Sequence, residues 1–262
     1  MAIAALPATC HPGLPPATRN GFYPPCSILN SLIQLSPPFC HPSSVIPPLA
    51  SLPLSLLTPL VPEHTKVMGK EWADARRAAN VARLATTLAD ALVGRTDITF
   101  ELGCGHGHWL AAYAAAHPDE FCVGIDLITH RVERSVRKQT LGKLDNVIFL
   151  KAEATEFLEA LPPAVVLRKI FILYPDPWPK KKHHKHRFIQ ASSLDLLAQR
   201  AAAGARLHFR TDDLDYSEWT RAHLFEHAAW KLKEETTWPF EQTTFFEERM
   251  TAKRDLEAER VP

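Results

Sequence analysis

Tyr174-Pro175-Asp176-Pro177-Trp178-Pro179 sets one carboxylate and one indole between three prolines, and Lys180-Lys181-Lys182-His183-His184-Lys185-His186-Arg187 follows at once. Each proline fixes its own φ and lowers the entropy of the unfolded chain, so the acid and the ring are held at little entropic cost. An acid and an aromatic ring beside a cationic strip suit a flat base attached to a phosphate backbone. The indole offers a stacking face, the carboxylate accepts from N–H groups, and clustered Lys and Arg gain affinity by releasing counterions. The plainer readings are that Asp176 caps a turn, that Trp178 is core and that the strip is a solvated face. Three imidazoles raise the question of a metal, but no acid or cysteine accompanies them within the run and the lysines repel a cation. No metal site is expected.

A second group lies upstream. Glu101-Leu102-Gly103-Cys104-Gly105-His106-Gly107 follows a strand-like run and opens a helix-like one. Gly103 and Gly105 let the backbone turn tightly and approach a ligand. The spacing is G-x-G-x-G, and His108 stands where a dinucleotide fold would carry its last glycine, which speaks against a nicotinamide oxidoreductase. Glu101, two positions before the first glycine, would repel a pyrophosphate and attract a cationic ligand such as the amino and sulfonium groups of S-adenosylmethionine. Asp126 ends the next strand-like run and can accept from ribose hydroxyls. Glu153 follows the third and can accept from an exocyclic amine.

These residues need elements to hold them. The chain alternates strand-like segments (97–102, 121–126, 147–150, the run ending at Leu173, 206–210) with helix-like ones (71–92, 109–116, 129–141, 155–161, 188–201, 217–227). Such alternation predicts an α/β fold, a mostly parallel sheet with helices on both faces. Ligands in such sheets bind at the carboxyl ends of the strands, which places Gly103, Asp126, Glu153, Asp176 and Asp212 along one rim. In the third helix-like segment Arg131, Arg134, Arg137 and Lys138 fall mostly on one side. Residues 230–250 hold strand-like pieces. The tail after Arg249 is short and highly charged, which leaves the closing segment unassigned.

Composition divides the chain near Met68. Fourteen of its 22 prolines precede that residue, and Arg19, Glu63 and Lys66 are the only Lys, Arg, Asp or Glu there. Residues 1–67 read as a disordered, Pro-rich leader, with Met68-Gly69-Lys70 as an alternative start, and residues 68–262 as the folded domain. The apolar stretch from Ser27 to Val61 is broken by proline too often to span a bilayer as a helix, so no membrane association is expected. Five cysteines without a CxxC pair indicate neither a disulfide framework nor a zinc site and fit a cytoplasmic setting. From Met68 onward basic and acidic residues balance, so the basic ones matter through clustering.

The combination resembles the bacterial tRNA (guanine-N7)-methyltransferase family across most of residues 70–250. The family's P-D-P-W-x-K signature stands as Pro175 to Lys180, its T-D pair as Thr211-Asp212, and its T-x-F-E as Thr244-Phe245-Phe246-Glu247. The resemblance implies a Rossmann-like class I methyltransferase that uses S-adenosylmethionine, without metal, to form 7-methylguanosine at position 46 in the tRNA variable loop. It implies that Glu101, Gly103, Gly105, Asp126, Glu153 and Asp176 line the methyl-donor site and that Asp176 is catalytic. Lys180, Asp212, Thr244, Phe245, Phe246 and Glu247 would contact the tRNA or its guanine. Guanine N7 carries no proton, so its methylation needs alignment and charge compensation, not a strong base. Monomer and homodimer both stay open. The competing expectations are a catalytically silent RNA-binding module and a class I methyltransferase with another nucleic-acid substrate.

Overall fold

The computed structural model describes residues 69–243 and 252–262. The chain divides into two units, Met1–Val61 and Pro62–Pro262. The expected leader lies outside the described residues, and so do Thr244, Phe245, Phe246 and Glu247.

The elements run α1 (Gly69–Ala91), β1 (Asp97–Leu102), α2 (His108–Ala116), β2 (Cys122–Asp126), α3 (Thr129–Gly142), β3 (Val147–Lys151), α4 (Ala154–Ala160) and β4 (Val166–Leu173). A 3-10 turn (Lys181–His186) follows, then α5 (Ala191–Arg200), β5 (Ala201–Thr211), α6 (Leu214–Glu226), β6 (Trp230–Leu232) and β7 (Arg254–Arg260). The seven strands form one sheet in the order β3-β2-β1-β4-β5-β7-β6. β1 to β5 are parallel, while β7 runs antiparallel to both β5 and β6.

Alternation along the strands builds a core on each face. Ile98 and Phe100 of β1 pack with Leu84 and Leu88 of α1, Phe157 of α4 and Leu194 of α5. Phe100 and Phe157 stack at 4.6 Å. On the other face Trp109, Leu110 and Tyr113 of α2 pack with Val132 of α3, Phe149 and Phe171. Trp238 and Phe240 close this second core. Glu101 sits on β1 between inward-facing Phe100 and the glycine turn, and is 3% exposed.

β7 escaped the sequence reading because its residues, Arg-Asp-Leu-Glu-Ala-Glu-Arg, are mostly charged. Leu256 and Ala258 alone supply its apolar face to the core. Its acids are matched by cations on β5: Arg206 meets Glu257 at 2.6 Å and Glu259 at 3.3 Å, and Arg210 meets Asp255 at 2.6 Å. Cross-strand charge pairing of this kind lets a polar strand join a sheet.

Candidate functional site

Gly103, Asp126, Glu153, Asp176 and Asp212 each end or follow one of the parallel strands β1 to β5, so the chain brings them to one rim of the sheet.

At the end of β1 the glycines carry the turn. Gly103, Gly105 and Gly107 adopt φ of 75°, 54° and 66°, in the left-handed region that L side chains avoid. Gly107 is doubly constrained, since a Cβ there would lie 2.7 Å from Ser135 Cβ and 2.9 Å from Phe149 Cε1. Asp126 fastens this turn: its Oδ2 accepts from Gly105 N at 3.0 Å and its Oδ1 from Ile128 N at 2.8 Å. Arg131 lies 3.7 Å from Oδ2. Each Asp126 oxygen keeps a further lone pair, so the residue can brace the turn and still accept from a ligand.

Glu101 is different. Its Oε2 is buried and has no hydrogen-bond partner. Burial, reinforced by the nearby Asp126 charge, pushes its carboxyl up to about 8. A buried carboxylate without a cation is costly, and a neutral acid is the cheaper state until a cation arrives. The donor set of Glu101, Asp126 and the glycine-turn backbone therefore fits a cationic nucleoside such as S-adenosylmethionine.

Glu153 is half-buried and acts as the N-cap of α4: its Oε2 accepts from Thr155 N at 2.8 Å and Glu156 N at 3.1 Å, and from the Thr155 hydroxyl. This capping role is not legible in the sequence, because glutamate is not a favoured cap residue.

At the end of β4 the chain leaves the sheet through Tyr174 and Trp178, with φ of 48° and 46°. For bulky residues this conformation is strained, and strain of that kind persists only where surroundings over-determine it. Two anchors do so. Tyr174 N donates to Arg210 O at 2.7 Å. Arg187 Nε donates to Pro177 O at 2.8 Å, and its Nη2 meets Asp215 at 2.5 Å. The Arg187 guanidinium is fully buried, over the rings of Tyr216 and Trp219 at 4.8 and 5.2 Å. It holds the Asp215 carboxyl below its usual range. Arg187, which in sequence looks like the end of a cationic strip, is thus the internal brace of the Pro175–Trp178 loop.

Asp176 is exposed, and its carboxylate makes no hydrogen bond or ion pair among the described residues. It does not cap the turn. Trp178 is 37% exposed, outside the core, with His186 and His183 rings at 5.0 and 5.9 Å. Lys180, Lys181, Lys182, Lys185 and His186 are exposed, while His184 turns inward to within 3.6 Å of Asp215. Among the described residues no group of three or more His, Cys, Asp or Glu could hold a metal ion.

At the end of β5 two adjacent acids divide the work. Asp213 caps α6, accepting from Tyr216 N at 2.7 Å. The Asp212 carbonyl accepts from Arg254 Nη1 at 2.7 Å, and its half-buried carboxylate has no hydrogen bond or ion pair among the described residues.

A parallel α/β sheet with one antiparallel strand inserted at the edge, a glycine turn braced by an acid, and a buried acid fitted to a cationic nucleoside together define a class I methyltransferase. The family model for methyltransferases Methyltransf_4 ("Putative methyltransferase") matches residues 95–258. Curated tRNA (guanine-N(7)-)-methyltransferases match as well: that of Rhodospirillum rubrum at 35% identity over 63% of this chain and 65% of its own length, and that of Rhodopseudomonas palustris at 30% over 69% and 71%. The Thiobacillus denitrificans enzyme is 41% identical over 45% of this chain and 52% of its own. The match thus spans between half and about seven-tenths of these relatives. The chain belongs to the bacterial tRNA (guanine-N7)-methyltransferase family.

Proposed function

We propose that this protein methylates guanine N7 in tRNA, at position 46 of the variable loop, with residues 68–262 as the methyltransferase domain and the cytoplasm as its setting. One observation carries the reading in a chain of this family: a buried carboxylate without a partner, Glu101, and an open carboxylate on a braced loop, Asp176, share one rim.

S-adenosylmethionine supplies an electrophilic methyl group on a sulfonium. Glu101 gives its buried charge to the cationic part of that donor. Gly103 and Gly105 admit it close to the backbone, and Asp126 accepts from its ribose. Glu153 has a second role here, its Oε1 remaining to accept from the nucleoside's amine while Oε2 caps α4. Asp176 accepts from the N–H groups of guanine, fixes N7 in line with the methyl group and offsets the positive charge that moves onto the purine. It takes no proton, because N7 has none to give. Lys180, Asp212 and the segment Thr244, Phe245, Phe246 and Glu247 hold the nucleotide.

The test is nucleoside analysis of unmodified tRNA treated with the protein and S-adenosylmethionine. The expected product is 7-methylguanosine at a single variable-loop position. A methyl group on another atom, or on protein alone, would contradict the assignment.

Among the described residues no helix is long and apolar enough to cross a membrane.

A further inference from the structure

α3 starts three residues after Asp126 and carries His130, Arg134, Arg137 and Lys138 within an arc of about 100°, with its buried Val132 and Ser135 outside that arc. Arg131 flanks the stripe. At the glycine-turn end the stripe meets His106: Arg134 Nη1 lies 3.5 Å from His106 Nε2, and the His106 ring lies 6.3 Å from those of His130 and His108. The cations therefore run without a break from the nucleoside site outward along the helix.

Several exposed or half-exposed cations of the domain are matched by acids: Arg77 with Glu159 at 2.5 Å, Arg168 with Asp97 at 3.0 Å, Arg206 with Glu257 at 2.6 Å, Lys253 with Glu241 at 3.2 Å. The stripe, like the lysines of the 3-10 turn, is not matched in this way among the described residues. Arg134, Arg137 and Lys138 form no ion pair with a carboxylate among the described residues. The one acid on α3, Glu133, stands at the edge of the stripe and pairs with none of them. The crowding is felt by its members. Desolvation and then Arg134 push the Lys138 ammonium down, and desolvation, Arg134, Lys138 and Arg131 do the same to His106. Uncompensated cations placed side by side raise the local positive potential and favour an anion of matching extent.

We propose that the Arg134, Arg137 and Lys138 stripe of α3, continued through His130 and His106 to the glycine turn, is a second docking surface for the phosphate backbone of the RNA substrate, separate from the 3-10 turn. This rests on the RNA substrate of the reading above. From His130 to Lys138 the helix advances about 12 Å, the length of about three phosphates at the ~3.4 Å axial spacing of one strand of a duplex. The two cationic regions follow β2 and β4, the strands on either side of β1. A base held between them would be gripped by its backbone on both sides. The stripe carries no sequence information, so it would raise affinity for all tRNAs alike.

The test is equilibrium binding of tRNA to the full chain at several salt concentrations, for the wild type and for Arg134→Ala/Arg137→Ala/Lys138→Ala. The variant should bind about tenfold or more weakly near 0.15 M salt. Its log–log salt slope should be shallower by about two, because each phosphate contact contributes ~0.7–0.9. Its affinity for S-adenosylmethionine and its kcat at saturating tRNA should stay within about twofold, which also shows that it is folded. Arg77→Ala/Arg168→Ala, which removes paired cations, should leave tRNA binding unchanged. Wild-type affinity and slope in the triple variant would overturn the proposal, and so would an equal loss in the paired-cation control. A wild type that binds tRNA through this stripe but makes no 7-methylguanosine would sink the catalytic reading alone.

Discussion

Glu101 and Asp176 are both carboxylates beside the ends of parallel strands, yet their surroundings are opposite. Glu101 is buried, one oxygen lacks any partner, and its carboxyl is pushed up to about 8. Asp176 lies open to solvent, and rigidity comes from the backbone around it: three prolines, two positive-φ residues and the Arg187 brace. The donor side of the rim thus holds a protonated acid that ionises when a cation arrives. The acceptor end stores geometry that a neutral base can enter without rearrangement. On the proposed reading this matches the chemistry, since the methyl donor brings its positive charge with it whereas guanine becomes charged only as the methyl group arrives.

The largest effect should come from Asp176→Asn. Removing the charge while keeping the shape should lower kcat by about two to three orders of magnitude, ~3–4 kcal/mol of transition-state stabilisation, with tRNA affinity within about twofold. Single-turnover kinetics beside tRNA binding measures both, and an affinity loss without a rate loss would reverse the contrast drawn here.

Next is Arg187→Ala. It removes a buried guanidinium with bonds to Pro177 O and Asp215 and two ring contacts, so unfolding in urea should show a loss of ~2–4 kcal/mol. A loss below ~1 kcal/mol would mean that the prolines alone hold the loop.

Glu101→Gln addresses the other end. Loss of a charge-assisted contact should weaken S-adenosylmethionine binding by about tenfold to thirtyfold, ~1.5–2 kcal/mol. The pH dependence has a definite sign. A carboxyl raised to about 8 must give up its proton to meet a cation, so wild-type affinity should climb by up to about tenfold per unit from pH 6 to 8 and then level off. The Gln variant should lack that component.

The smallest effect is expected at Glu153→Ala. Loss of the α4 cap should destabilise the fold by ~1 kcal/mol in thermal unfolding. An additional fall in S-adenosylmethionine affinity separates the proposed nucleoside contact from capping alone.

The parallel sheet and the rim were legible because β1 to β4 are mostly apolar runs alternating with helix-like segments, and because Gly103, Asp126, Glu153 and Asp176 end or follow such runs. β7 was not, since its acids are neutralised by Arg206 and Arg210, some fifty residues away in sequence. The roles of Arg187 and Glu153 were hidden for a related reason. A charged residue in a charged run looks solvated until its partners, Pro177 O and Asp215 in one case and the α4 amides in the other, are known. In the Asp212-Asp213 pair, likewise, only geometry tells which acid caps the helix and which is left open.

The contrast between an acid that ionises for its ligand and a stored geometry is tested most directly by proton release on binding. Calorimetry of S-adenosylmethionine binding at pH 7, repeated in buffers of different ionisation enthalpy, counts protons exchanged. The wild type should release about 0.9 proton more than Glu101→Gln, the fraction protonated for a group near 8. Equal proton counts in the two proteins would show that Glu101 is not the charge held in reserve for the methyl donor.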